Sequence, residues 1–203
     1  DITTLAEKLK KLGYITLGYS NNQLINRTTG LTQGFDRFLS GGVNYGMFSG
    51  ELIHWLSLLT FHPEILSDSG ARLTNRTLTK WFWRLTEQKR PFFLFVNYME
   101  AHIPYPNTIE AFRFFPDPRK AKKRYASFQW SWNEYICKSQ IDHKFREFVI
   151  NRYDGAIYYL DLMLSQLWQK LARFKLLDNT IIIIVGDHGE MLGGHNFWGH
   201  DYY

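Results

Sequence analysis

Residues Ile181 to Val185 are five β-branched residues in succession, and Gly186-Asp187-His188-Gly189-Glu190 follows them directly. Such side chains are stiff at χ1 and pack well on a pleated surface, so the run predicts a strand. Apolar and polar residues do not alternate in it, which predicts burial on both faces, as in the middle of a parallel sheet. Upstream, from about Ile141 to Lys175, apolar residues such as Phe145, Phe148, Val149, Ile157, Leu160 and Leu164 recur at helical spacing. Asp178-Asn179 makes the turn between the two. A long helix, a buried strand and a glycine-flanked polar loop thus form one unit.

The same order occurs twice more. Leu5, Leu9 and Leu12 space a short helix that Gly13 ends. Tyr14 to Tyr19 then reads as a strand, and Ser20-Asn21-Asn22 leaves it as a polar turn. A second helix is predicted from about Asp68 to Gln88, with Leu73, Leu78, Trp81 and Leu85 as its apolar stripe. Pro91 breaks it, Phe92 to Val96 reads as a buried strand, and the loop Met99 to Tyr105 follows. Helix, strand and loop, three times over, predict an α/β domain with a largely parallel sheet flanked by helices. Ligands of such sheets bind outside the carboxyl ends of the strands. Asn21, His102, Asp187 and His188 all fall just past predicted strand ends and are expected to converge on one rim. Residues 40 to 66 and 106 to 140 are less regular and are expected to be insertions and loops over that rim.

Composition narrows the class. The 203 residues are 45% apolar and 21% charged, a globular balance with room for one domain or part of a larger one. No stretch reaches eighteen apolar residues, so no membrane-spanning helix is expected. One cysteine, Cys137, excludes an internal disulfide and a cysteine-rich zinc site. The net charge is +5, with much of the excess in Arg119 to Arg124. That run is expected to be a solvated basic loop, with a basic lip beside an anion-binding cleft as the sharper reading.

Four residues are candidates for chemistry. Asp187 and His188 can face one divalent cation together, a carboxylate oxygen beside an imidazole nitrogen, with flanking glycines that allow close backbone approach. The competing structural role for Asp187 is to cap a following helix. His200, with His188 and His195, belongs to a group of three histidines in thirteen residues, where the chain has seven in all. Their spacing does not fit two histidines one helical turn apart, and the plain reading is a surface loop. His102, in the loop before Pro104, can donate to an anionic oxygen or protonate a leaving group, or simply rest on a backbone carbonyl. Other signals are weaker. His54, His62 and His143 are expected to be structural, and Cys137 buried or idle. Asn26-Arg27-Thr28 and Asn75-Arg76-Thr77 match the N-glycosylation pattern. Trp130 and Trp132 beside the basic run could stack on bases or sugars, or pack in a core.

Taken together, these segments resemble the sulfatases of the alkaline-phosphatase superfamily. Ile183 to His195 (Ile-Ile-Val-Gly-Asp-His-Gly-Glu-Met-Leu-Gly-Gly-His) is similar to their late metal-binding motif. Pro91 to Tyr105, ending in His-Ile-Pro-Tyr, resembles their His-x-Pro-Tyr segment, and Arg152 to Asp161 the long helix before the metal strand. Leu5 to Thr16 and Gly34-Phe35-Asp36 match an earlier stretch, so the resemblance spans nearly the whole chain in the family's order.

The resemblance implies an alkaline-phosphatase-like fold and a metal-dependent sulfuric ester hydrolase. Asp187 and His188 match the late metal-binding pair, with His where many members carry Asn. The cation implied is calcium or magnesium, with manganese or zinc as alternatives. The position of His102 contacts the transferred group or leaving oxygen. His200 stands where a lysine commonly binds the sulfate, and Ser20-Asn21-Asn22 about where many members have Gly-Lys-Trp-His. The family's nucleophile is a formylglycine made in a Cys-x-Pro-Ser-Arg motif. No such motif occurs in these residues. The nucleophile and two early aspartate ligands are therefore expected upstream of Asp1, in a catalytic domain of which residues 1–203 are a part cut at both ends, inactive alone. The implied substrate is an anionic ester of a small molecule or saccharide, and a nucleic-acid partner is not expected. The alternatives are a phosphodiesterase, phosphonate monoester hydrolase or phosphoethanolamine transferase of the same superfamily, or a non-catalytic polyanion-binding protein. Nothing in the sequence fixes compartment or oligomeric state.

Overall fold

The computed structural model describes residues 2–41, 67–125 and 143–200. His54, His62, Trp130, Trp132 and Cys137 lie outside them. The elements run α1 (Leu5–Lys11), β1 (Ile15–Ser20), β2 (Arg37–Ser40), α2 (Ala71–Glu87), β3 (Phe92–Asn97), α3 (Pro118–Tyr125), α4 (His143–Arg173), β4 (Met191–Leu192) and β5 (Trp198–Gly199). The chain divides into two units: Asp1–Glu100 with Leu160–Asn179, and Ala101–Tyr159 with Thr180–Tyr203. Helix α4 runs through both.

The first unit holds a parallel sheet in the order β2-β1-β3, with Leu17 opposite both Arg37 and Leu94. The α/β class with a parallel sheet and flanking helices is therefore borne out. Local chemistry sets the start of α1. Thr4 caps it and accepts from Glu7 N, while the Glu7 carboxylate accepts from Thr4 N at 2.9 Å, a reciprocal capping box. Gly34, at φ +89°, sits where a Cβ would lie 2.4 Å from Glu7 N, so only glycine lets the turn before β2 pass α1. Thr16 and Asp36 then exchange hydrogen bonds across the β1–β2 pair. In the core of this unit Leu78 and Phe82 of α2 are fully buried, and Tyr19 of β1 meets Trp81 edge to face at 6.2 Å. Burying a side chain such as Leu78 stabilises by about 1.5–3 kcal/mol.

The second unit packs around Tyr105, Val149 and Ala156, with Phe145, Phe148 and Trp198 against them. Gly155 of α4 lies so close to the turn at Glu110–Phe112 that a Cβ there would meet the Ala111 carbonyl oxygen at 1.9 Å.

Several expectations need correction. Ile181 to Val185 joins neither sheet: the segment has no strand pairing, and Ile181, Ile183, Ile184 and Val185 are 66–89% exposed. β-branched residues select an extended backbone locally, but a ladder needs a neighbouring strand, and none among the described residues pairs with it. In α1, Ala6 is the buried residue, whereas Leu5 and Leu12 are exposed. Strand β3 is half-buried rather than buried. Strand β2 was not foreseen. The basic run Arg119 to Arg124 is helical, within α3, with Ala121 inward and most of its charges exposed. Among the described residues no helix is long and apolar enough to cross a membrane.

Candidate functional site

All four candidate residues lie in the second unit, where the three histidines among them gather, and a hairpin explains part of this. Strands β4 and β5 pair antiparallel, Met191 with Gly199 and Leu192 with Trp198. Gly193 turns the chain at φ +81°, where a Cβ would strike the Trp198 ring at 2.6 Å. One register step beyond Met191 and Gly199, Glu190 faces His200, and His200 Nδ1 stands 2.7 Å from Glu190 Oε1. The His188 ring lies 4.2 Å from that of His200 and the His102 ring 5.1 Å from it, centre to centre. His195, at the hairpin tip with φ +52°, is exposed and makes no ring contact with the other three.

The loop that carries His102 is held from α4. Arg152, buried, donates from one nitrogen to the carbonyls of Tyr105 and Pro106, each at 3.0 Å, and lies 4.2 Å over the Phe112 ring. Burial pulls its pKa down to about 10, which leaves it charged at neutral pH. Burial also pushes the Tyr105 hydroxyl well above its ordinary range, and the Glu190 carboxylate adds to that. His102 Nδ1 donates to the carbonyl of Ile103, and His188 Nδ1 to that of Gly189 at 3.2 Å. The backbone-carbonyl partner foreseen for His102 thus coexists with its place in the cluster.

No helix begins at Asp187, so the capping role falls away. The Asp187 side chain is 90% exposed, and one oxygen accepts from His188 N at 3.1 Å. The other lies 3.9 Å from His188 Nε2. With an Nδ1 proton directed at Gly189, the neutral ring carries its lone pair on that Nε2. A carboxylate oxygen and an imidazole lone pair this close fit one divalent cation as two of its donors. They do not complete a site: among the described residues no three His, Cys, Asp or Glu side chains are arranged to hold an ion.

Asn21 belongs to the first unit, and its work there is structural. It is buried at the end of β1, and its Nδ2 donates to Thr74 Oγ1 at 3.0 Å. Nearby, Glu100 is fully buried and accepts from Ala71 N at 2.7 Å and Met99 N at 3.1 Å. Burial, and then the Asp68 carboxylate, push its pKa up to about 7. Asn75 is buried too, donating to the Met163 carbonyl and accepting from the Tyr98 hydroxyl, so the second glycosylation-like triplet is a packing joint. Sequence reasoning missed Glu190 as a site residue. The signal was the Gly193-Gly194 turn, whose hairpin register sets Glu190 opposite His200.

A family model described as Sulfatase matches residues 1–203. An arylsulfatase from Clostridium perfringens is 26% identical over 128 residues, which are 58% of this chain and 26% of that protein. A human (Homo sapiens) iduronate 2-sulfatase is 29% identical over 159 residues, 66% of this chain and 29% of that protein. Among solved structures, that of Ps i-CgsB in complex with k-i-k-neocarrahexaose aligns with a TM-score of 0.48 at 20% identity, over 86% of this chain and 37% of that one. The chain thus spans just over a quarter of the length of these two curated relatives. With the family model matched from end to end, this chain belongs to the sulfatase family.

Proposed function

We propose that the whole protein of which these residues form part hydrolyses sulfate esters with the help of a divalent cation. One observation carries this beyond family membership: His102, distant in sequence from His188 and His200, meets them as a cluster in the second unit, with Asp187 beside His188. Asp187 and His188 contribute two donors to the cation. By family pattern the cation is calcium or magnesium, with manganese or zinc as alternatives, and the imidazole of His188 is the donor that suits zinc. When bound, the cation neutralises charge on the non-bridging oxygens of the ester. His102 meets the leaving oxygen and His200 the transferred group. Arg152 keeps the His102 loop in place through the Tyr105 and Pro106 carbonyls. The nucleophile, a formylglycine by family pattern, and the remaining metal ligands come from outside these residues, so the 203 residues alone give no turnover.

The substrate is an anionic ester of a small molecule or saccharide. The relatives' own names include arylsulfatase, iduronate 2-sulfatase and choline-sulfatase, which spans that class. The deciding experiment assays the whole enzyme on an aryl sulfate and an aryl phosphodiester, side by side, with wild type and Asp187→Ala. Sulfate hydrolysis that the variant loses supports the reading. Faster phosphodiester cleavage moves the protein to the phosphoryl-transfer branch of the superfamily. Sulfate turnover unchanged in the variant removes Asp187 from the site.

A further inference from the structure

The carboxylate of Glu190 is the least expected group in the second unit. Its side chain is 4% exposed, Oε1 is on His200 Nδ1 at 2.7 Å, and Oε2 is buried without a hydrogen-bond partner among the described residues. Desolvating a carboxylate costs several kcal/mol, so packing alone favours an apolar or amide side chain there. A carboxylate accepts and does not donate, so the 2.7 Å contact requires the hydrogen to sit on His200 Nδ1. In a neutral imidazole the other nitrogen is then an acceptor. His102 and His188 follow the same pattern, their Nδ1 atoms on backbone carbonyls. The carboxylate-backed member is the central one, whose ring touches both others.

We propose that Glu190 is a positioning residue: it fixes a proton of His200 on Nδ1 and holds the ring between His102 and His188, so that Nε2 is the nitrogen left to meet the ligand. This rests on the role given to His200 above and narrows it. A lysine, which the family resemblance leads one to expect at this position, can only donate. The imidazole instead offers an orientation that a flexible lysine lacks, because Glu190 holds its Nδ1. For metal-bound histidines, losing a carboxylate partner of this kind costs roughly 10–100-fold in affinity or activity, and the same scale is expected for His200.

The test reads the tautomer directly. The whole protein, with 15N-labelled histidine, is studied by long-range 15N–1H correlation at about pH 8, where an ordinary histidine is neutral. Wild-type His200 is expected to show a protonated Nδ1 and an unprotonated Nε2. Glu190→Met, close in volume but without an acceptor, is expected to shift His200 toward the Nε2–H form, as is Glu190→Ala. Glu190→Gln, which keeps an acceptor oxygen, is expected to restore the wild-type pattern. An Nε2–H tautomer in wild type, or an unaltered Nδ1–H form in both the Met and Ala variants, overturns the proposal. In the whole enzyme, Glu190→Met is expected to lower kcat roughly 10–100-fold, and Glu190→Gln much less. Absence of sulfatase activity in wild type would sink the proposed function, while the tautomer measurement would still decide the role of Glu190.

Discussion

Glu100 and Glu190 are both buried carboxylates, one in each unit, and their partners differ in kind. Glu100 accepts from two backbone N–H groups, at the start of α2 and in the segment after β3. Around it Asn21, Thr74 and Asn75 are also bound by main chain or by one another. That region is a joint, in which polar side chains complete helix and strand ends. Glu190 instead bonds an imidazole, and the imidazole touches two more. Backbone-directed polar groups secure a fold. Side chains directed at titratable side chains set which atoms carry hydrogen, and that is the arrangement of a chemical site.

The comparison breaks most readily at the histidines. In the whole enzyme, His200→Ala is expected to lower sulfatase turnover by roughly 10²–10³-fold, the scale of losing one transition-state contact. His188→Ala, which leaves the Glu190–His200 contact in place, should lose turnover with a melting temperature close to wild type, and a large drop there would make the cluster a second joint. For the first unit the expected signature is a pH-dependent stability. Glu100 titrates at about 7 in the folded chain against an ordinary value near 4.5, so the folded state holds the extra proton between those limits. Stability therefore falls as pH rises through that window and stays lower above it, by about 3 kcal/mol at most. Glu100→Gln, which imitates the protonated acid, should flatten the slope in denaturant unfolding between about pH 5 and 7. A slope identical to wild type would show that Glu100 titrates normally.

A purely steric test comes next in size. Gly155→Ala drives a methyl group into the Ala111 carbonyl. Overpacking of this kind costs about 1–3 kcal/mol, measurable as a lower denaturation midpoint in the second unit. The smallest effect belongs to α3. Lys122→Ala with Lys123→Ala should change stability by no more than about 0.5 kcal/mol. The same pair checks the polyanion-binding alternative. Salt-sensitive heparin binding that weakens in this variant and survives Asp187→Ala would favour it.

What could be read in the sequence was what neighbours along the chain determine. The helical spacing in 141–175 found α4 to within two residues at each end. The apolar run after Pro91 found β3, and family motifs found His102, Asp187, His188 and His200 as candidates. Burial was less legible, because it depends on what lies opposite. Ile181 to Val185 carries the strongest strand signal in the chain, yet it lies exposed and unpaired among the described residues. Asn75 fits a surface motif and is a buried joint. The meeting of three histidines from two separate loops, and the buried carboxylate behind one of them, followed from hairpin register and loop anchoring. Those are long-range pairings. Propensity and spacing constrain a residue against its neighbours a few positions away, whereas the tertiary fold alone decides which distant groups come within hydrogen-bonding distance.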